Sequence, residues 1–137
     1  ARHHPLPGGG PRPPRFRAAP FEPIPGLSLR ELRACVLGSH LFACCLQLMA
    51  LASLAGAWVC LEHPADRGCE PYASFFCSAE MDEFVRLVGG QIVLLHQCRF
   101  SGQAVKPTNL VGNDSSLKEL SCKCNHTVKH APAIGRP

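Results

Sequence analysis

Apolar positions fall into five blocks, separated by proline, glycine and polar clusters. The first block begins at Ser28-Leu29-Arg30-Glu31. A Ser followed three residues later by Glu is a capping box: the hydroxyl takes a free backbone N–H and the carboxylate reaches back to the cap. The spacing predicts a helix from there to about Ala55, with Gly56 placed to end it in the left-handed conformation. Leu32, Val36, Leu46, Met49 and Leu54 are its apolar content. Arg33, His40 and Gln47 recur every seven residues and form one narrow polar edge. The rest of its surface is apolar or small, which predicts a helix buried nearly all round.

Ala57 to Leu61 reads as a short buried strand, ended by Glu62-His63-Pro64 because proline cannot continue a ladder. Residues 65–77 read as loop. Ser78 caps a second helix over 79–88, with Met81, Phe84, Val85 and Val88 on one face. Gly89-Gly90 stops it. Gln91 to His96 is the clearest strand, and Lys106 to Val111 is a third. Ser116 with Glu119 caps a short helix. A strand–helix–strand order with a continuous apolar run in the second strand predicts α/β architecture. The expected fold is a partial Rossmann-like parallel sheet with covering helices, joined by a right-handed crossover between Trp58 and Leu95.

Composition changes the picture at the N-terminus. Residues 1–26 hold most of the 13 prolines, the Gly8-Gly9-Gly10 run and Arg2, Arg12, Arg15 and Arg17. Proline fixes φ and removes donors, so this block is expected to be a disordered, basic tail. Residues 27–137 are then the folded domain. The chain has 137 residues, 46% of them hydrophobic, which excludes wholesale disorder. A net charge of +4 does not by itself imply nucleic acid or an anionic membrane. We read the chain as a piece of a longer protein.

Several groups of residues bear on chemistry. From Ala34 to Leu61 there is no Asp, Glu, Lys or Arg. About 20 apolar residues cross a bilayer, so residues 34–61 are a candidate membrane segment, with a buried core helix as the preferred reading. Ala55-Gly56-Ala57 also has the form of a signal-peptide cleavage site. Cutting there would leave Cys60, Cys69, Cys77, Cys98, Cys122 and Cys124, an even number suited to secreted disulfides. Asn113 and Asn125 lie in Asn-X-Ser/Thr sequons. A secreted or single-pass membrane, Cys-rich interaction protein with N-glycans is therefore the alternative to an intracellular one. Cys122, Cys124, His126 and His130 are zinc-ligand types, but they are crowded into nine residues with no distant pair. They are read as ordinary residues of a terminal loop, and no metal is assigned. Glu62 stands where α/β sheets hold ligands, at a strand's carboxyl end.

The order Leu61-Glu62-His63-Pro64, then a helix, then Leu95-His96-Gln97-Cys98-Arg99-Phe100, then Lys106-Pro107-Thr108-Asn109-Leu110 resembles the second half of divergent, phage-type DNA cytosine-5 methyltransferase-like proteins. The resemblance covers about residues 57–135. It implies a Rossmann-like sheet, S-adenosylmethionine as cofactor, DNA as partner and a flipped cytosine. Glu62 takes the position of the glutamate that holds the ring, and Gln97, Arg99 and Lys106 would lie near the DNA or the target base. His63 replaces the family's Asn, and Ser101-Gly102 replaces a Gly directly after the aromatic. No Pro-Cys nucleophile and no Phe-X-Gly-X-Gly cofactor loop occurs in this chain. The resemblance thus implies a fragment that is inactive alone, binds no cofactor by itself, and is nuclear or cytoplasmic.

Overall fold

A computed structural model describes residues 14–69, 72–100, 102, 104–127, 129 and 130. Among these, α1 spans Leu29–Leu54, β1 Cys60–Pro64, α2 Ala79–Val88, β2 Gln91–His96 and β3 Pro107–Gly112. Short 3-10 turns occupy Phe75–Cys77, Gln97–Phe100 and Ser115–Leu120. The fold is mixed α/β. The described residues group into two compact units. One comprises those of Ala1–Leu48 and Asp66–Glu83, the other those of Met49–Ala65 and Phe84–Pro137.

In the first unit, α1 begins at the capping box. Ser28 N donates to Glu31 Oε2 at 2.8 Å, and Glu31 N donates to Ser28 Oγ at 3.3 Å. Cys35, Phe42 and Leu46 are the buried residues of α1. Phe42 stacks on Phe75, with ring centroids 4.3 Å apart, and Phe21 closes the cluster at 4.9 Å from Phe75. Arg15 lies over the Phe75 ring and donates to Ser39 Oγ and the Cys35 carbonyl, both at 2.6 Å. The tail expected over residues 1–26 falls outside the described residues as far as residue 13. Residues 14–26 form turns, with an isolated antiparallel bridge between Arg15 and Pro23. Their proline-rich backbone makes few ladder bonds, and side chains hold it instead. The helix expected to be buried all round leaves Leu37, Leu41 and Leu48 exposed.

Arg17 meets Asp66 as a two-pronged pair, at 2.5 and 2.6 Å. The Arg17 hydrogen bonds, then those from Gly68 N–H and Cys77, hold the Asp66 carboxyl well below the usual carboxylate range. A carboxyl with a depressed folded pKa adds stability above its unfolded pKa of about 3.9 and loses it as pH falls. Urea unfolding at stepped pH should therefore show a midpoint that drops on acidification below about pH 4. Asp66→Asn should flatten that drop; an unchanged acid limb in the variant would remove Asp66 as its cause.

The second unit is built on a three-stranded sheet in the order β1-β3-β2. The expected parallel sheet is not what forms. β3 runs antiparallel to both neighbours, with Glu62 opposite Leu110 and Val93 also opposite Leu110. β1 and β2 do point the same way, but β3 lies between them. The physical reason is the link 97–106, shorter than the dozen or more residues a parallel crossover needs, so the chain turns back on β2. β3 is accordingly the central strand, and Val111 is fully buried there. The first strand also lies further along than expected, and Trp58 precedes it at 85% exposure rather than being buried in it. Asn113 fixes the approach to β1. Its Oδ1 accepts from Val59 N at 2.9 Å, and its Nδ2 donates to Ser53 Oγ and the Ala57 carbonyl, each at 2.9 Å. Those bonds use the amide that a glycan at Asn113 would need.

Candidate metal centre

The residues singled out by resemblance divide between two places. Glu62 lies within β1, on a sheet edge, and not at the carboxyl end of a buried parallel strand. Its Oε1 accepts from Gln97 Nε2 at 3.1 Å and from Lys106 Nζ at 3.2 Å. These three do come together, because β3 sets the link 97–106 across from β1. Both members of the ion pair are about half exposed, and such pairs contribute about 0–1 kcal/mol. Arg99 is elsewhere and donates to Asn125 Oδ1.

That contact lies beside the strongest cluster of reactive groups in the described residues. Cys98 Sγ, Cys124 Sγ and one ring nitrogen each of His126 and His130 lie within 4.8 Å of one another. Cys124 Sγ is 3.4 Å from His126 Nδ1 and 3.1 Å from His130 Nε2. Around a tetrahedral zinc, with bonds of about 2.3 Å to sulfur and 2.0–2.1 Å to nitrogen, ligand atoms stand about 3.3–3.8 Å apart. The four atoms therefore need shifts of only a few tenths of an ångström to about one ångström.

The fold brings these residues together through the backbone. After the 3-10 turn at Ser115–Leu120, the chain pairs with the end of β2. Cys122 N donates to the Leu94 carbonyl at 3.2 Å, and His96 N donates to the Cys122 carbonyl at 2.9 Å. This parallel bridge, Leu95 with Cys122, lays residues 122–126 beside the turn Gln97–Phe100 that carries Cys98. Cys124 N then donates to His96 Nδ1 at 3.0 Å, and the Arg99–Asn125 bond ties the two segments once more. Ligand-supporting contacts of this kind hold metal ligands in position.

Charge is distributed to suit a cation. Cys124 has its thiol lowered to about 6, first by the His126 backbone N–H and then by the His126, His130 and Cys98 side chains. The Cys98 thiol is pushed up, first by desolvation and then by its bond to Cys124 and that group's negative charge. One thiolate and one thiol thus share a proton next to two imidazoles. A divalent cation would expel that proton and take both sulfurs.

The terminal segment alone, read from sequence, does not reveal this centre, because it supplies only three of the four ligands. Cys122 is not in the cluster and Cys98 is. The signal was present: a cysteine two residues after the clearest strand, and a Cys-X-His-X3-His run whose missing ligand must come from elsewhere in the chain. Scanned against protein-family models, characterised proteins and solved structures, the chain matches none. The class is therefore set by the site itself, a thiolate–imidazole cluster joining a strand-end turn to a later segment.

Proposed function

We propose that the chain is a zinc-binding module, in which one ion held by Cys98, Cys124, His126 and His130 fastens the segment after residue 120 to the end of the sheet. The carrying observation is the convergence of four ligand atoms from two separate segments within 4.8 Å. Two sulfurs and two imidazoles in a compact group suit zinc among the common divalent ions. Four protein ligands leave no open coordination position, which fits a structural ion and a binding role rather than hydrolytic catalysis. Titration with Co²⁺ tests it. The full chain, reduced, should bind one equivalent with the intense visible absorption of a tetrahedral sulfur–nitrogen site, and Zn²⁺ should displace it. Cys98→Ser and Cys124→Ser should each abolish that spectrum, whereas Cys122→Ser should leave it. An octahedral spectrum, or one indifferent to Cys98, would sink the proposal.

A second reading, DNA-modification ancestry, draws on the meeting of Glu62, Gln97 and Lys106 on one edge. The antiparallel sheet offers Glu62 no strand-end crevice of the kind that reading implied. Its test is binding to a cytosine-containing duplex: Lys106→Gln and Arg99→Gln should weaken it, and no binding by the wild-type chain ends the reading.

A further inference from the structure

We propose that the uncovered face of α1 docks, lying in the plane of the membrane, on a bilayer surface rich in anionic phospholipid. The inference is independent of the metal centre. Successive residues of an α-helix are about 100° apart, which places Leu37, Leu41, Cys44, Leu48 and Leu51 within about 80° of the helix circumference. Cys35, Phe42 and Leu46, the covered residues, centre on the opposite side, about 160° away. Leu37 is 60% exposed, Leu41 62% and Leu48 66%. Only Cys35, Phe42 and Leu46 of α1 are buried, and a row of leucines so bare on the side away from them marks an interaction surface rather than scattered surface hydrophobes.

The charges choose the occupant. Arg30 and Arg33 fall on the same side as the leucines, at the N-terminal end of the row, and both are exposed. From Ala34 to Leu61 no further charged residue occurs. A membrane surface offers both complements at once, phosphate headgroups for the arginines and acyl chains for the leucines. The opposing face of α1, covered by Phe21, Phe75 and Arg15, takes the place of the polar face of an interfacial helix. A second copy of the chain suits the row less well. The leucine spacing is that of a coiled coil, but in a parallel pair Arg30 would face its own counterpart. The flanking positions Gly38, His40, Cys45, Gln47 and Ala52 carry no opposite charges to set register. α1 is also long and apolar enough to cross a membrane. A crossing would have to strip Phe21 and Phe75 from Phe42, whereas in-plane docking leaves that cluster intact.

The test is flotation of the full chain with preformed phosphatidylcholine vesicles, with and without about a third phosphatidylserine. Wild type should float with the anionic vesicles, less as salt rises, and should be released by alkaline carbonate. Leu41→Glu with Leu48→Glu should lower partitioning at least about tenfold, and Arg30→Gln with Arg33→Gln several-fold. All four positions are exposed, so circular dichroism of the variants should match wild type. Failure of wild type to float overturns the proposal, as does flotation indifferent to the leucines. A carbonate-resistant fraction overturns the in-plane geometry in favour of a span. Concentration-dependent dimers without flotation, dispersed by Leu41→Glu, would assign the face to a second copy.

Discussion

Removing zinc should loosen the second unit more than any substitution at its surface. Structural zinc in small domains contributes about 10–16 kcal/mol of apparent binding free energy at pH 7. Here the sheet has its own buried residues, Val93, Leu95 and Val111, so only part of that energy is needed to hold the fold. The segment 121–130 has far less. Apart from the proposed ligands, its ties include the Ser121 bonds to Lys118 and Leu94, the Cys122 bridge, the bond to His96 and the contact between Arg99 and Asn125. Chelation should therefore raise hydrogen exchange first in residues 121–130 and lower the melting temperature of the whole unit. The dependence on free zinc is itself diagnostic. Above the dissociation constant, each tenfold increase should add about 1.4 kcal/mol to the unfolding free energy. Protons compete for the same atoms. Since Cys124 loses its proton near pH 6 while Cys98 keeps its own, metal binding displaces the Cys98 proton. Affinity should rise with pH and fall steeply on acidification through about 6. Melting curves unchanged by a strong chelator, at any pH, would show that the four side chains meet without a metal.

What the amino-acid sequence disclosed and what it concealed follow a physical line. Features set by neighbours in the chain were legible. The Ser28–Glu31 box forms, Ser78 Oγ accepts from Met81 N at 3.2 Å, and α2 and β2 occupy the expected residues. Gly56 ends α1 with φ at 85°, a conformation open to glycine at little cost. Strand pairing was not legible, because periodicity gives a strand's faces but not its neighbours. The length of the link after β2 was the one local clue to an antiparallel return. The burial of α1 was not legible for a related reason: leucines on both sides of a helix fit a core helix and an exposed one equally well. At the candidate site, the pairing of Cys122 with β2 is what delivers Cys124 to Cys98. That pairing is non-local, so residue types alone left the centre one ligand short.

Phe42→Ala should be the most damaging single substitution in the first unit. Replacing a buried Phe by Ala costs about 3–5 kcal/mol through lost transfer energy and the cavity left behind. Phe42 also stacks nearly parallel on Phe75, at 14° between planes, and meets Phe21 edge-on at 6.0 Å. Each such aromatic pair adds about 0.5–1.5 kcal/mol beyond its burial. Against a total stability of about 5–15 kcal/mol for an ordinary domain, this leaves the unit close to unfolding. The loss should spread to residues 14–24. Their proline-rich backbone supplies little secondary structure, and Phe21 and Arg15 are their anchors on α1 and on the Phe75 ring. Limited trypsin digestion reads this directly. In wild type, Arg15 and Arg17 are engaged by Ser39, the Cys35 carbonyl and Asp66 and should be cut slowly. In Phe42→Ala they should be cut early, while Phe42→Leu, which keeps most of the volume, should stay near wild type. Phe75→Ala in the Phe42→Ala background should cost less than it does alone, because the stack it would break is already gone. Equal cleavage rates in wild type and Phe42→Ala would mean that the aromatic cluster does not hold the N-terminal segment in place.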